Sequence, residues 1–267
     1  MNVAEQHVVL RHRDAGDLRT LEAYRAIGGY AQLERAVRSL APEEVAAVVT
    51  ASGLRGRGGA GFPTGRKWSL VSRDTGPRYV VANADESEPG TFKDHEIVRC
   101  NPHQLLEGAA LAAYAVGAST VYVYCRGEWW QEMSVLRRAV AEATSVGLLG
   151  HAVFGTEVDL HTHVVGGAGA YICGEETALL SSMEGQRGEP RRKPPYPAQA
   201  GLYARPTVVN NVETMANLPP ILANGADWFR SLGTDGSPGT KVFSLSGHVE
   251  RPGNYELPLG TPLRELL

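Results

Sequence analysis

The chain has 267 residues, of which 43% are hydrophobic and 21% charged, and its formal net charge is −3 from 26 basic and 29 acidic side chains. This balance is typical of a globular protein of one or two domains. It gives no overall positive field that would attract nucleic acid or an anionic membrane. The longest apolar run, 108–118, is too short to cross a bilayer.

The first predicted element with functional content is a glycine-rich loop that follows a short helix. The stretch 42–49 has an acidic first turn and apolar residues at helical spacing, which predicts a helix. The segment 53–65 then carries six glycines in thirteen residues. Backbone N–H groups without side chains can form a nest for phosphate, and Arg55, Arg57 and Lys67 would add positive charge. This loop therefore predicts a nucleotide-binding site.

Familiar phosphate-binding motifs do not account for this loop. Residues 56–61 satisfy G-x-G-x-x-G, but that dinucleotide fingerprint requires a strand before it and a helix after it. Here a predicted helix precedes the motif, and Phe62-Pro63 cannot continue one. No Walker A motif can be aligned. A flexible linker or an arginine–glycine nucleic-acid segment is disfavoured, since Phe62, Lys67 and Trp68 stand in fixed relation to glycines that do not repeat.

The middle of the chain alternates between predicted strands and helices. The predicted strands are 78–83, 120–125 and 158–165, and the predicted helices are 102–116, 130–144 and one that contains 178–183. Strands joined by helical crossovers predict a parallel sheet covered by helices on both faces. In such sheets the ligand crevice lies beyond the carboxyl ends of the strands.

Polar residues cluster at these strand ends. The candidates are Asn83, Asp85, Glu86 and Glu88 after the first strand, and Gly174, Glu175 and Glu176 after a glycine turn that follows the third. Taken alone, the first group would be a solvated acidic turn, and the glutamates of the second would be ordinary helix-start residues. Their position in the predicted crevice favours a role in ligand binding, because a carboxylate there can accept hydrogen bonds from the hydroxyls of an adenosine ribose.

A proline-rich segment adds two further candidate groups. Residues 190–197 combine basic charge, stiff turns and Tyr196, which is held between prolines. This segment is either a connector or a rigid stacking plate. Asn210 and Asn211 follow at the end of an apolar stretch, where two amides can recognise a polar heterocycle.

Together, the segments 53–68, 83–94, 167–178 and 193–213 closely resemble, in sequence and order, the NADH-oxidising, FMN-binding flavoprotein of respiratory complex I, which is NADH-quinone oxidoreductase. The resemblance runs from about residue 40 to the end of the chain. It implies an α/β fold with a Rossmann-like parallel sheet that binds FMN and NADH stacked on each other. The same module occurs in NAD-reducing hydrogenases and NAD-dependent formate dehydrogenases, so the parent complex stays open.

The resemblance also implies a role for each candidate residue. The glycine loop and Lys67 would bind the phosphate side of FMN, the residues after the strands would line the flavin and nicotinamide, and Phe62 and Tyr196 would stack on the adenine. The residues implied to bind cofactors are Gly56, Arg57, Gly58, Gly59, Phe62, Lys67, Asn83, Asp85, Glu86, Gly174, Glu175, Tyr196, Asn210 and Asn211. Glu176 beside the nicotinamide and Glu88 beside the NADH ribose are assigned to catalysis, and no residue is assigned to a metal.

The end of the chain departs from the family pattern. A four-iron cluster is expected in the full-length family, but Cys100, Cys125 and Cys173 lack the spacing that its ligands require. We predict three parts: an N-terminal helical segment at 1–48, an FMN- and NADH-binding α/β domain at 49–232, and the truncated start of a β-grasp, ubiquitin-like domain at 240–267. The last part would be a hairpin around Arg251-Pro252-Gly253 and one turn of helix.

The resemblance implies an enzyme that transfers hydride from NADH to bound FMN and passes electrons singly to iron–sulfur clusters. The implied partners are a thioredoxin-like 2Fe-2S subunit and an iron–sulfur subunit of the peripheral arm of complex I. The implied location is cytoplasmic, peripheral to the inner membrane through that complex. The alternatives are the diaphorase subunit of a hydrogenase or formate dehydrogenase and a non-catalytic nucleotide-binding fragment. A nucleic-acid binder is disfavoured by the acidic charge balance.

Overall fold

The computed structural model describes residues 6–72 and 76–267. The helices in this part are α1 (His12–Ala15), α2 (Leu21–Ala26), α3 (Ala31–Ser39), α4 (Pro42–Ser52), α5 (Thr64–Ser69), α6 (Lys93–Cys100), α7 (Pro102–Val116), α8 (Trp130–Ser145), α9 (Glu176–Met183), α10 (Pro197–Ala200), α11 (Val212–Ala216), α12 (Leu218–Asn224), α13 (Ala226–Arg230) and α14 (Leu263–Leu266). The strands are β1 (Tyr79–Ala84), β2 (Thr120–Cys125), β3 (His161–Gly166), β4 (Thr207–Asn211), β5 (Gly233–Thr234), β6 (Ser237–Pro238), β7 (Thr240–Leu245) and β8 (Gly253–Pro258). None of these helices is both long and apolar enough to span a membrane.

The central sheet has four parallel strands in the order β3-β2-β1-β4, which confirms the predicted α/β fold. The predicted strand at 158–165 begins too early. Leu160 instead pairs antiparallel with Gly150, outside the parallel sheet. The sheet also contains β4, of which the sequence indicated only the end, at Asn210 and Asn211.

The strand order creates the site. The chain runs outward from β1 to β2 and β3, and then returns to add β4 on the other side of β1. Connections after β1 and β4 therefore diverge, and a crevice opens between their carboxyl ends. Asn83 of β1 and Asn211 of β4 are direct neighbours in the register, so two predicted site residues meet at this point.

Helix α7 forms the centre of the main core. Its leucines and alanines are buried between the sheet and the neighbouring helices α4 and α11. Gly108 allows the closest approach, because a Cβ atom there would lie 2.0 Å from the backbone oxygen of Met215 in α11. A smaller core on the opposite face of the sheet includes Val81, Tyr124 and Leu180. Since α11 begins directly after β4, this packing fixes the end of β4 that enters the crevice.

Strands β7 and β8 form the predicted antiparallel hairpin, and α14 follows it. The buried carboxylate of Glu256 in β8 joins this hairpin to the N-terminal segment. It accepts hydrogen bonds from the backbone N–H groups of Val9 and Leu10, both at 2.9 Å, and from Thr240 Oγ1 at 2.6 Å. The assignment of the hairpin to a β-grasp domain stays a prediction.

We expect a Glu256→Gln variant to remove part of the pH dependence of folding. Burial raises the pKa of Glu256 from 4.5 to about 7, despite its hydrogen bonds. A carboxyl whose folded pKa is raised disfavours folding once it ionises, so its stabilising contribution is complete below pH 4.5 and is lost as the pH rises toward 7. Urea unfolding at pH 4.5 and 7.5 measures the free energy of unfolding of both proteins. Between these pH values, the free energy of unfolding of the variant should rise relative to that of the wild type by on the order of 2 kcal/mol. A difference between the two proteins that is independent of pH would contradict this expectation.

Candidate functional site

A cavity of about 600 Å³ opens at the carboxyl end of the central sheet. This volume lies within the range of about 300–1,000 Å³ that is usual for small-molecule sites. Its wall is formed by the glycine loop at 57–59, the acidic loop after β1, the turn before α9, the start of α6, Asn211 and the first strand of the hairpin. Segments that are far apart in sequence therefore meet at one place, as the strand-end rule predicts.

Ten of the sixteen predicted site residues line this cavity. They are Arg57, Gly58, Gly59, Asn83, Asp85, Glu86, Glu88, Gly174, Glu175 and Asn211. The other six do not line it in the part of the chain that the structure describes. They are Gly56, Phe62, Lys67, Glu176, Tyr196 and Asn210.

The side chain of Arg57 holds the glycine loop to β6 and to the first strand of the hairpin. Its buried guanidinium donates to the backbone oxygens of Thr240 and Pro238, both at 3.0 Å, and of Arg55 at 2.9 Å. Its backbone N–H donates to Thr214 Oγ1 at 2.9 Å. The guanidinium therefore stabilises the loop within the protein, and the prediction that its charge attracts a phosphate stays a prediction. Its donors are directed at carbonyl groups of the protein.

The two following glycines differ in their surroundings. A Cβ atom on Gly58 would lie 2.6 Å from Cβ of Asn211, so the bare backbone of the loop is required for contact with the end of β4. A Cβ atom on Gly59 would meet no atom of the described residues within 4 Å, so this residue borders open space in the cavity wall. The loop is thus fixed on one side and accessible to a ligand on the other.

The acidic loop after β1 is held by its own hydrogen bonds. Glu86 accepts the N–H groups of Asp94 and His95 at the start of α6, at 3.0 and 3.1 Å. Burial, followed by the nearby charge of Asp94, raises the pKa of Glu86 to about 7. Burial also raises the pKa of Asp85. Asn83 donates to the backbone oxygen of Gly174 at 2.9 Å, which ties this loop to the turn before α9.

Glu88 is joined to Tyr171 across the cavity wall. The tyrosine hydroxyl donates to Glu88 Oε2 at 2.5 Å, and this hydrogen bond raises the pKa of Tyr171. Both residues line the cavity, and 63% of the Tyr171 surface is exposed. The sequence pointed only to the glycines around this tyrosine. Its partnership with Glu88 comes from the folded structure.

Three charged residues outside the cavity wall form a network with Glu175. Lys67 donates to Glu176 Oε2 and to the backbone oxygen of Val209, both at 2.9 Å. Lys193 contacts Glu175 Oε1 at 3.1 Å and Glu176 Oε1 at 3.3 Å. The charge of Lys67 is thus paired with a protein carboxylate, whereas the sequence predicted that it faces a phosphate.

The two adjacent asparagines have different environments. Asn210 is buried and accepts the indole N–H of Trp68 at 3.1 Å. Asn211 lines the cavity, donates to Asp94 Oδ2 at 2.5 Å, and accepts from Lys93 Nζ at 3.2 Å. The two side chains therefore have different surroundings, and their predicted contact with FMN stays a prediction.

Two lysines in the cavity wall were not assigned from the sequence. Lys93 is buried, with Nζ 2.7 Å from Asp94 Oδ1 and 2.9 Å from Glu213 Oε2. Burial disfavours its charge, but Asp94 and Glu213 raise its pKa above the ordinary value. Lys241, the second residue of β7, donates to the backbone oxygen of Arg57 at 3.1 Å. Lys93 lies within a segment that carried the resemblance, whereas no local signal marked Lys241.

The aromatic candidates lie apart from the cavity wall. Phe62 is 44% exposed, and the guanidinium of Arg66 lies over its ring at 5.8 Å from the centroid. Tyr196 is 55% exposed at the start of α10. Neither ring is buried in a core, so both remain available to a ligand that extends beyond the cavity.

Comparison with known proteins agrees with this architecture. A profile of the Nuo51 FMN-binding domain matches residues 49–220, and a profile of the SLBB domain matches 242–267. The chain is 54% identical over 261 residues to an F subunit of NADH-quinone oxidoreductase of Rhizobium meliloti (strain 1021), which covers 97% of this chain and 62% of that protein. It is 55% identical over 249 residues to the F subunit of NADH-quinone oxidoreductase of Streptomyces coelicolor, which covers 93% of this chain and 55% of that protein.

A solved structure shows the same fold. The crystal structure of an NAD+-reducing NiFe hydrogenase in the H2-reduced state superposes with a TM-score of 0.82 at 38% identity, over 99% of this chain and 43% of that one. The chain thus spans only part of each relative's length. Because the profile match covers well over half of its residues, the chain belongs to the Nuo51 FMN-binding domain family.

Proposed function

We propose that this chain binds FMN and NADH and is the NADH dehydrogenase module of an NADH-quinone oxidoreductase. The observation that carries this proposal is the single cavity wall built from the glycine loop, the acidic loop and the turn before α9. The names of the relatives favour this parent complex. The hydrogenase structure supports the alternative of a diaphorase subunit.

The residues of the cavity fit FMN by their chemistry. The open backbone at Gly59 suits a phosphate, and the side chains of Asn83 and Asp85 suit the polar edge of a flavin ring. Gly174 lines the cavity without a side chain, so its bare backbone is open to a flat ring. When bound, FMN supplies the chemistry of hydride acceptance.

The protein's part in the reaction is to bind, orient and control protonation. The hydrogen bond between Asn83 and Gly174 holds two walls of the cavity at a fixed separation, which favours a defined ligand orientation. The hydrogen bond from Tyr171 to Glu88 joins the turn before α9 to the acidic loop at a second point. With its pKa near 7, the Glu86 carboxyl can hold or release a proton at neutral pH.

The residues outside the wall are proposed to act on NADH. Phe62 and Tyr196, both exposed, are proposed to stack on the adenine. Glu176, held by Lys67 and Lys193, is proposed to lie toward the nicotinamide. We further propose that electrons leave to iron–sulfur clusters of neighbouring subunits in a peripheral arm, with a 2Fe-2S subunit and an iron–sulfur subunit as partners and a cytoplasmic location.

An absorbance spectrum tests the proposed function directly. The purified chain, mixed with FMN and passed through a desalting column, should retain the flavin spectrum and lose its absorbance when NADH is added without oxygen. Retained flavin that NADH does not bleach would instead support a non-catalytic nucleotide-binding fragment. A colourless protein would contradict FMN binding.

We expect Glu88→Gln to increase the use of NADPH relative to NADH by about fivefold. The change removes a negative charge that would repel a 2′-phosphate by about 1 kcal/mol, while the amide oxygen can still accept the hydrogen bond from Tyr171. Steady-state rates with both nucleotides and ferricyanide measure the ratio. Glu189→Gln, at an exposed glutamate outside the cavity wall, is the matched control. An unchanged ratio of the NADPH to the NADH rate would show that another residue discriminates between the two nucleotides, and Glu86 is the next candidate.

A further inference from the structure

Lys241 differs from the other three lysines because it forms no ion pair with an acidic residue in the described part of the chain. The sequence contains four lysines, and Lys67, Lys93 and Lys193 each form an ion pair with Asp or Glu. Within residues 6–72 and 76–267, Lys241 Nζ makes only the hydrogen bond to the backbone oxygen of Arg57. The lysine is half-buried in the cavity wall, and burial lowers its pKa. A partly desolvated cation without a counter-ion is costly unless an anion binds beside it.

The surroundings of Lys241 are suited to an anion. Its ammonium is bonded to the carbonyl of Arg57, directly before Gly58 and Gly59. Neither of these glycine N–H groups donates a hydrogen bond to another residue in the described part of the chain. Two unused backbone donors and an unpaired ammonium in one wall form the donor set of a phosphate site.

The alternative cation for this role is already neutralised. The resemblance assigns Lys67 to the phosphate, but its ammonium is paired with Glu176 at 2.9 Å and lies off the cavity wall. Lys93 does line the wall, yet its charge is balanced by Asp94 and Glu213. Lys241 is therefore the only lysine in the described cavity wall that forms no ion pair with a carboxylate, although the charges of Glu213 and Asp94 act on it from farther away.

We propose that Lys241, together with the backbone N–H groups of Gly58 and Gly59, binds the phosphate monoester of FMN. This inference rests on the proposed function and adds a binding residue from the hairpin. Lys241 lies outside the 49–220 match to the FMN-binding domain and just before the 242–267 match. The hairpin is thus part of the cofactor site.

Comparison of FMN with riboflavin isolates the phosphate. Dissociation constants of both flavins are measured by quenching of their fluorescence on the 267-residue chain. We expect the wild type to bind FMN more tightly, and Lys241→Gln to weaken FMN binding at least tenfold while leaving riboflavin binding unchanged. Lys241→Arg should restore part of the preference. Arg251→Gln, which removes a charge at an exposed residue of the hairpin loop, should bind both flavins as the wild type does.

The other outcomes separate the two claims. If Lys241→Gln retains the wild-type ratio of FMN to riboflavin affinity, or if Lys67→Gln abolishes that ratio instead, the role of Lys241 is wrong while FMN binding stands. A variant that weakens only NADH binding would place the diphosphate of the dinucleotide at Lys241 and would also overturn the inference. If the wild type binds neither flavin, the proposed function itself fails.

Discussion

Replacing Lys93 with methionine is expected to lower the free energy of unfolding by about 3–5 kcal/mol at pH 7.5. The lysine is the buried cation between Asp94 and Glu213, which are themselves 2% and 0% exposed. Methionine fills a similar volume but leaves both carboxylates without their cation. The large cost arises because a buried charge has lost its compensation, and most of it is not the strength of the ion pairs themselves.

The pH dependence of this cost identifies its origin. Without Lys93, burial of the negative charges of Asp94 and Glu213 costs free energy that this cation no longer offsets. The resulting penalty is present when the unfolded carboxyls are ionised, and it disappears as the pH falls below their unfolded pKa of about 4. Urea unfolding of variant and wild type at pH 4 and 7.5 should therefore show a smaller difference at the lower pH.

A second lysine provides the control for this variant. Lys241→Met removes an ammonium from the same cavity wall, but one that forms no ion pair with a described residue. We expect Lys241→Met to lower the free energy of unfolding by less than about 1.5 kcal/mol, which is the contribution of a single ordinary hydrogen bond. A similar cost for both variants, or a cost for Lys93→Met that does not change with pH, would show that the buried carboxylates are not responsible.

The parallel sheet could be predicted because its signals are local. Helix α7 was predicted with its observed bounds, since Pro102 and Gly117 mark its two ends. Strand β2 was also predicted with its observed bounds, from a run of β-branched and aromatic residues. The strand-end rule then placed Asn83 and the acidic loop in the crevice without any three-dimensional information.

The partners of the charged residues could not be predicted in this way. Arg57 and Lys67 belong to a basic, glycine-rich loop, and their charges suggested a phosphate. In the structure Arg57 is bound to carbonyl groups of β6 and β7, more than 180 residues away, and Lys67 is paired with Glu176. Such pairings depend on tertiary contacts, which sequence spacing does not encode. Lys241 was missed for the same reason, because its segment was predicted as a separate domain.

The second large effect is expected at Gly58, where the glycine loop meets the end of β4. In Gly58→Ala, the new Cβ atom would lie 2.6 Å from Cβ and 2.9 Å from Cγ of Asn211. Asn211 cannot turn away, because its amide is bonded to Asp94 and Lys93 and accepts the backbone N–H of Glu213. Relief therefore requires a shift of the loop backbone, at a cost of about 2–3 kcal/mol.

Gly59→Ala is the matched variant, since its Cβ atom would lie more than 4 Å from every atom in the part of the chain that the structure describes. Urea unfolding should show Gly58→Ala destabilised as stated and Gly59→Ala within about 0.5 kcal/mol of the wild type. FMN affinity should fall at least tenfold in Gly58→Ala, because the displaced loop carries the N–H groups proposed to bind the phosphate. Equal stability of the two variants would show that the loop can yield at Gly58, and that its contact with Asn211 does not fix the shape of the cavity.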